Sequence, residues 1–229
     1  MAYSDDIDAL NPDHRWSLSA NSTDGVGSVD GTDTSIVYTG TALCEGATNS
    51  AQTNAFTDRI TFATTTNINN SAQTRKVVCG WFMVDSIQPH PCRIYGEGTN
   101  TLCYQIVMAF GNNLMLEVVD SSFTLQVYGP ALVPNRAYHV CTVFEGNAYS
   151  NEIKLFVDGV EQFNASPTNR QPGTATLTAR GQAIIADPSG TVGIGGDAVL
   201  LQAALNGHYN EWATFDGANA VLTDTEIRE

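Results

Sequence analysis

The chain has little positive charge. Lysine occurs only twice, at Lys76 and Lys154, and ten Lys and Arg face 24 Asp and Glu, for a formal net charge of −14. Such a chain repels a phosphate backbone, which argues against nucleic acid as a partner, and it repels an anionic membrane surface for the same reason. Charged residues of either sign reach only 15%, against ~25% in an ordinary globular protein. The wet faces must therefore be built from Thr, Asn, Ser and Gln, residues of β-structure and turns rather than of helices. No apolar run approaches the ~20 residues that span a bilayer. Residues 1–10 carry three Asp and no basic residue, which is not the pattern of a signal or transit peptide.

Catalytic and metal signatures are also missing. The five cysteines, Cys44, Cys79, Cys92, Cys103 and Cys141, are odd in number and form no C-x-x-C pair. Cys79 and Cys141 sit inside apolar runs, as buried free thiols do. The pattern argues against a disulfide framework and a zinc site and fits folding in a reducing cytoplasm, with room for one bridged pair. His14, His90, His139 and His208 make no H-x-x-x-H or H-E pair, and His139 and His208 read as strand residues with satisfied hydrogen bonds. No G-x-S-x-G elbow is present.

The chain has 229 residues. That suits a single domain, with about 70% of its surface buried on folding. No internal repeat or linker divides it. Residues 4–10 predict one helical turn, capped by Ser4, with Asp5 and Asp6 at its positive end and Pro12 blocking continuation. Asp13–Leu18 reads as a strand around Trp16. Residues 19–75 are loop-rich, with short strands predicted at Ser35–Thr39 and Arg59–Ala63.

From Lys76 the pattern sharpens. Lys76–Asp85 is apolar on both alternating sets of positions and predicts a central strand covered on both faces, with Trp81 in the core. Leu102–Phe110 and Leu114–Asp120 flank Gly111-Asn112-Asn113 as a hairpin. Phe123–Tyr128 and Tyr138–Phe144 are further strands. Asp158-Gly159 joins Glu152–Val157 to Val160–Phe163, the strongest short hairpin signal because both central residues must reach positive φ. Pro167–Gly190 reads as loose, and Thr191–Gly195 and Leu205–Phe215 are expected to close the sheet. Thr223-Asp224-Thr225-Glu226 is a capping box that starts a short terminal helix pinned by Ile227. Many short strands with almost no helix predict an all-β sandwich of jelly-roll type with short terminal helical turns.

The second half carries a recognisable series: Tyr138-His139-Val140, Lys154-Leu155-Phe156-Val157-Asp158-Gly159, Ile194-Gly195-Gly196, Asn210-Glu211-Trp212 and Leu222-Thr223-Asp224-Thr225-Glu226-Ile227. In this order it resembles the laminin-G-like, concanavalin A-like lectin/glucanase domains. Tyr138 stands where that family usually has Trp, and Asn210-Glu211 where it has Asp-Glu. The match covers residues 76–229, with Trp16 as a family-like first strand. Ala9-Leu10-Asn11-Pro12-Asp13-His14-Arg15-Trp16 resembles the opening of such proteins encoded by tailed bacteriophages. The resemblance implies a concanavalin A-like jelly roll over residues 1–229 and a virion accessory protein, a head decoration or fibre part assembled in the host cytoplasm. Its expected partners are major capsid or fibre proteins, further copies of itself and host-surface glycans. A carbohydrate-binding lectin module is the alternative reading.

Glycoside hydrolysis needs two carboxylates flanking the bond, which laminarinase-type members of the fold supply as E-x-D-x-x-E. No E-x-D occurs here. Glu117 and Asp120 are three apart and would point to opposite faces of a strand, and Glu211 with Asp216 has the same odd spacing. No catalytic residue and no cofactor is assigned, and an enzyme is not expected. Calcium is the one open metal question. Residues 21–33 are oxygen-rich, with Asp24, Asp30 and Asp33 as candidate ligands, and an ordinary Asx-turn loop would use the same residues. Trp212 reads as core, Trp16 fits either core or a sugar platform, and no glycan-binding residue is assigned.

Overall fold

A computed structural model describes residues 3–55, 57–62, 74–89, 91–99, 102–120, 123–146, 151–163, 170–171, 183–185, 191–194, 197–200, 205–217, 220 and 222–228. In chain order the elements are α1 (Tyr3–Ala9), β1 (His14–Trp16), β2 (Gly31–Thr34), β3 (Val37–Gly40), β4 (Ser50–Thr53), β5 (Arg59–Phe62) and β6 (Arg75–Val84). Then come β7 (Cys92–Thr99), β8 (Leu102–Met108), β9 (Asn113–Asp120), β10 (Phe123–Ala131), β11 (Ala137–Gly146), β12 (Asn151–Val157), β13 (Val160–Glu161) and β14 (Arg170–Gln171). β15 (Ala183–Ile185), β16 (Thr191–Ile194), β17 (Asp197–Leu200), β18 (Gly207–Asp216) and α2 (Asp224–Arg228) complete the series.

Two antiparallel sheets form a β-sandwich. The larger runs β13-β12-β11-β6-β18-β4-β3, with β1 on β18 and β14 on β12, and the other runs β10-β9-β8-β7-β15-β5-β2. The core between them takes Val78, Phe82, Tyr138, Val140 and Trp212 from the first sheet and Tyr95, Tyr104, Ile106, Leu116 and Leu125 from the second. Burying such a face is the dominant favourable term in folding. The opposite face of the larger sheet is also apolar. There Val77, Cys79, Cys141, Val143, Ala213 and Phe215 pack under Ile7 of α1, Leu222 and Ile227 of α2. That second layer explains why β6 is apolar at both alternating sets of positions.

Local chemistry accounts for the joints. Asp158 and Gly159 adopt φ of 50° and 74°, as the two-residue hairpin requires, and Asp158 Oδ1 accepts the His139 backbone N–H at 2.9 Å. At the capping box the Thr223 N–H and hydroxyl both donate to Glu226 Oε2, at 2.7 and 2.8 Å. Gly80 is required by a close approach, since a Cβ there would lie 2.3 Å from the Trp212 ring.

Several expectations need correction. Cys79 and Cys141 are not free thiols: they are directly opposite on β6 and β11 and joined as a disulfide. The register between the two runs, invisible in one sequence, brings them together. Cys44, Cys92 and Cys103 are in no disulfide, and burial pushes the Cys44 and Cys92 thiols up to about 12. Among the described residues β16 does not join a main sheet and pairs with β17 alone. The strand expected at Leu205–Phe215 does join the larger sheet, as β18 between β6 and β4. β7 and β15 carry no clear strand pattern in sequence, since Cys92–Thr99 contains two glycines and two charged residues and Ala183–Ile185 is only three residues long. Most of Pro167–Gly190 lies outside the described residues, as does His90.

Candidate functional site

The oxygen-rich early loop is organised around one carboxylate. Asp24 Oδ1 accepts the backbone N–H groups of Arg15, Val26 and Gly27 at 3.1, 3.1 and 2.9 Å. Its Oδ2 accepts the Val29 N–H at 3.1 Å and His14 Nδ1 at 2.5 Å. Burial opposes the charge, but the His14 bond and the backbone donors outweigh it and hold the carboxyl at about 2. Asp30 Oδ1 accepts the Asp24 N–H, and Asp33 Oδ2 accepts the Tyr38 hydroxyl. The three candidate calcium ligands are therefore not brought together as ligands: Asp24 and Asp30 tie a turn, and Asp33 braces a neighbouring strand. Among the described residues no group of three or more His, Cys, Asp or Glu is arranged to hold a metal.

The carboxylate pairs considered for hydrolysis are also committed elsewhere. Glu117 is buried and accepts Gln105 Nε2 and Gln126 Nε2, each at 2.5 Å, while Gln105 Oε1 accepts Arg93 Nε at 2.8 Å. This row crosses β7, β8, β9 and β10 on the side of that sheet away from the core. Glu211 pairs with Arg15 at 3.0 Å, and Asp216 pairs with Lys76 at 2.9 Å.

An arrangement suited to a ligand lies on the outer face of the larger sheet. A cavity of about 320 Å³ opens between the sheet and the two terminal helices. Its floor includes Cys79 of β6 and His139 of β11, its walls Ile7 and Leu10 on one side and Leu222 and Ile227 on the other. Asp6 and Glu226 bring exposed carboxylates to it from α1 and α2. Trp81 stands directly opposite His139 in the strand register, its ring 5.2 Å from the imidazole and tilted by 34°. Burial is the main cause that lowers the His139 pKa to about 4, against the opposing pull of Asp158. At neutral pH its imidazole is therefore uncharged.

The tryptophans divide accordingly. Trp16 is fully buried and donates from Nε1 to the Val29 carbonyl at 2.7 Å, so it is core. Trp212 is core as expected, its ring stacked on Tyr95 at 5.4 Å. Trp81 is half-buried and belongs to the outer face, not to the core. Alternation alone places Trp81 and Cys79 on one face. What sequence reasoning missed was that the shared face lies beside a cavity rather than under a continuous layer.

No family model matches the chain, and no curated protein matches it in sequence. Its likeness is to solved structures. Over 95% of its length it is similar to 96% of domain 4 of AbnA, a GH43 extracellular arabinanase from Geobacillus stearothermophilus, in complex with arabinotriose, at 14% identity and a TM-score of 0.59. Over 96% it is similar to half (50%) of a botulinum neurotoxin serotype D binding domain, at 11% identity and a TM-score of 0.65. Over 94% it is similar to 32% of a Trypanosoma rangeli sialidase in complex with the inhibitor DANA, at 13% identity and a TM-score of 0.60. The chain thus spans about a third of the sialidase and half of the toxin domain. At these identities the likeness establishes the β-sandwich fold, and function has to be argued from the site.

Proposed function

We propose that this chain is a carbohydrate-binding β-sandwich module that does no chemistry on its ligand. The observation that carries the reading is the outer-face cavity, whose floor holds His139, with the Trp81 ring packed against that imidazole and with apolar walls and two carboxylates alongside. A pyranose or furanose ring offers an apolar C–H face and a rim of hydroxyls. The Trp81–His139 pair suits the first, and Asp6 with the neutral imidazole suits the second. The volume matches the small end of ligand pockets. Among the described residues no Lys or Arg lines the cavity, and the net charge is −14, which favours neutral sugars as ligands. The similarity in fold and length to domain 4 of AbnA, a structure in complex with arabinotriose, supports the same reading.

The carboxylates beside the cavity do not suit hydrolysis. Hydrolysis needs a general acid with a raised pKa opposite a second carboxylate. Glu226 is instead held below its usual range by the Thr223 backbone and side-chain hydrogen bonds, which makes it a poor proton donor. The placement on a virion and the docking on capsid or fibre proteins draw no support from the three likenesses.

The test is titration with a panel of neutral, acidic and amino oligosaccharides, read by tryptophan fluorescence and saturation-transfer NMR. Saturable binding of a neutral sugar, lost in W81A with the fold retained and without release of reducing ends, is expected. No saturable binding across the panel, or binding that survives W81A together with H139A, would overturn the proposal.

A further inference from the structure

Lys76 is one of the two lysines of the chain, and its side chain is completely buried. It stands on β6 directly opposite Asp216 of β18. Its Nζ is 2.9 Å from Asp216 Oδ1 and 2.8 Å from Glu97 Oε1. Glu97 comes from β7 of the facing sheet, and its Oε1 also accepts the Tyr95 hydroxyl at 2.5 Å. Glu97 is 1% exposed and Asp216 8%. Glu97 Oε2 and Asp216 Oδ2 are buried with no hydrogen-bond partner. One amine and two carboxyl groups are thus enclosed between two sheets, with one carboxylate charge more than the cation can balance. Such a cluster is a costly way to hold a fold together, because several charges have left water for few compensating bonds.

We propose that Lys76 and Asp216 condense into an intramolecular amide, an isopeptide bond, with Glu97 as the catalytic residue that carries the proton. The Lys76 ammonium first passes a proton to the Asp216 carboxylate, giving a neutral amine beside a neutral acid. The Nζ lone pair then attacks Asp216 Cγ, forming the C–N bond and opening the C=O bond. Glu97 takes a proton from the nitrogen and returns it to the departing hydroxyl oxygen, which leaves as water while the carbonyl re-forms. An ammonium and a carboxylate become an amide and one water, and Glu97 ends as it began. No oxidant, cofactor or second substrate is consumed.

Three features favour the step. The nucleophile and the acid are already in contact, so approach costs little entropy. Burial raises the Asp216 carboxyl above its usual range, against the pull of Lys76, and so eases its protonation. Burial also disfavours the Lys76 ammonium, but the two carboxylates outweigh it, so the amine is released only as its proton moves to a neighbour. The reaction removes two buried charges and expels one water. Its product would clamp β6 to β18, adjacent central strands whose linked residues are 140 apart in sequence.

The experiment is the intact mass of the full chain after disulfide reduction, compared with the sequence mass with or without the first methionine. The expected result is a wild-type chain lighter by one water, with K76R and E97Q each at its own full sequence mass. Fragmentation of a protease digest should give a branched peptide joining the Lys76 and Asp216 segments. A wild-type chain that is folded by circular dichroism yet has full mass would overturn the proposal. So would a one-water loss that persists in K76R, because a succinimide at Asp216-Gly217 or Asp158-Gly159 has the same mass without the link. If E97Q fails to fold, the wild-type mass, K76R and the branched peptide still decide the matter.

Discussion

Replacing Asp24 with Asn should unlatch the early loop. The wild-type carboxylate takes four backbone N–H groups and His14, and its pKa is about 2 against an ordinary 3.8. Each unit is worth about 1.4 kcal/mol, so the ionised form contributes about 2.5 kcal/mol of stability at neutral pH. The sign follows from a folded pKa below the unfolded one. The contribution is complete above the unfolded value and fades as pH falls toward about 2, with about half left at pH 3. The amide of Asn has one acceptor oxygen, and its NH₂ would face donors that were satisfied before, so the loss at pH 7 should be at least that large. In a chain of this size that is a fall in Tm of about 5–10 °C. Urea unfolding of wild type and D24N at pH 7, 5, 4 and 3 would measure it. The two curves should stay apart down to about pH 4 and then converge. A gap under about 0.5 kcal/mol at pH 7, or one that persists unchanged at pH 3, would refute the reasoning. Millimolar calcium should leave both melting curves in place, because an ion bound to the native loop would raise Tm by mass action.

Further predictions rest on other parts of the fold. G80A would set a Cβ 2.3 Å from the Trp212 ring, and an overpacked core of this kind should lose about 1–3 kcal/mol in urea titration, with a changed tryptophan emission. His139 is held near pKa 4, so the unfolded chain takes up its proton first. Stability should therefore fall as pH drops from about 6.5 toward about 4, by at most about 3 kcal/mol, and H139Q should flatten that part of the profile. Thiol titration in denaturant should find three reactive groups before reduction, Cys44, Cys92 and Cys103, and five after it. The Cys79–Cys141 bridge closes a 62-residue separation, so its reduction should cost about 4 kcal/mol on the chain-entropy argument.

The parts of this molecule that were legible in sequence are those whose causes are local. Asp158-Gly159 announced its hairpin because two consecutive positive φ values admit few residues. Thr223 and Glu226 announced a helix start because each satisfies the other's free donors. Lys76–Asp85 announced a central strand because both of its faces are apolar, although the reason, one face under the facing sheet and the other under α1 and α2, is tertiary. What escaped is set by register and pairing, which a single sequence does not encode at any one position. The same β6–β11 pairing joins Cys79 to Cys141 and sets Trp81 against His139. The pairing of β6 with β18 sets Lys76 against Asp216, while Glu97 arrives from a strand that its glycines and charges concealed. Lys76 marks the limit sharply. Its neighbours predict a buried strand, and a solvated strand end is the ordinary place for a lysine. The β6–β18 register brings Asp216 to its amine and the packing of the two sheets brings Glu97, so the cluster belongs to the assembled sandwich and to no segment of it.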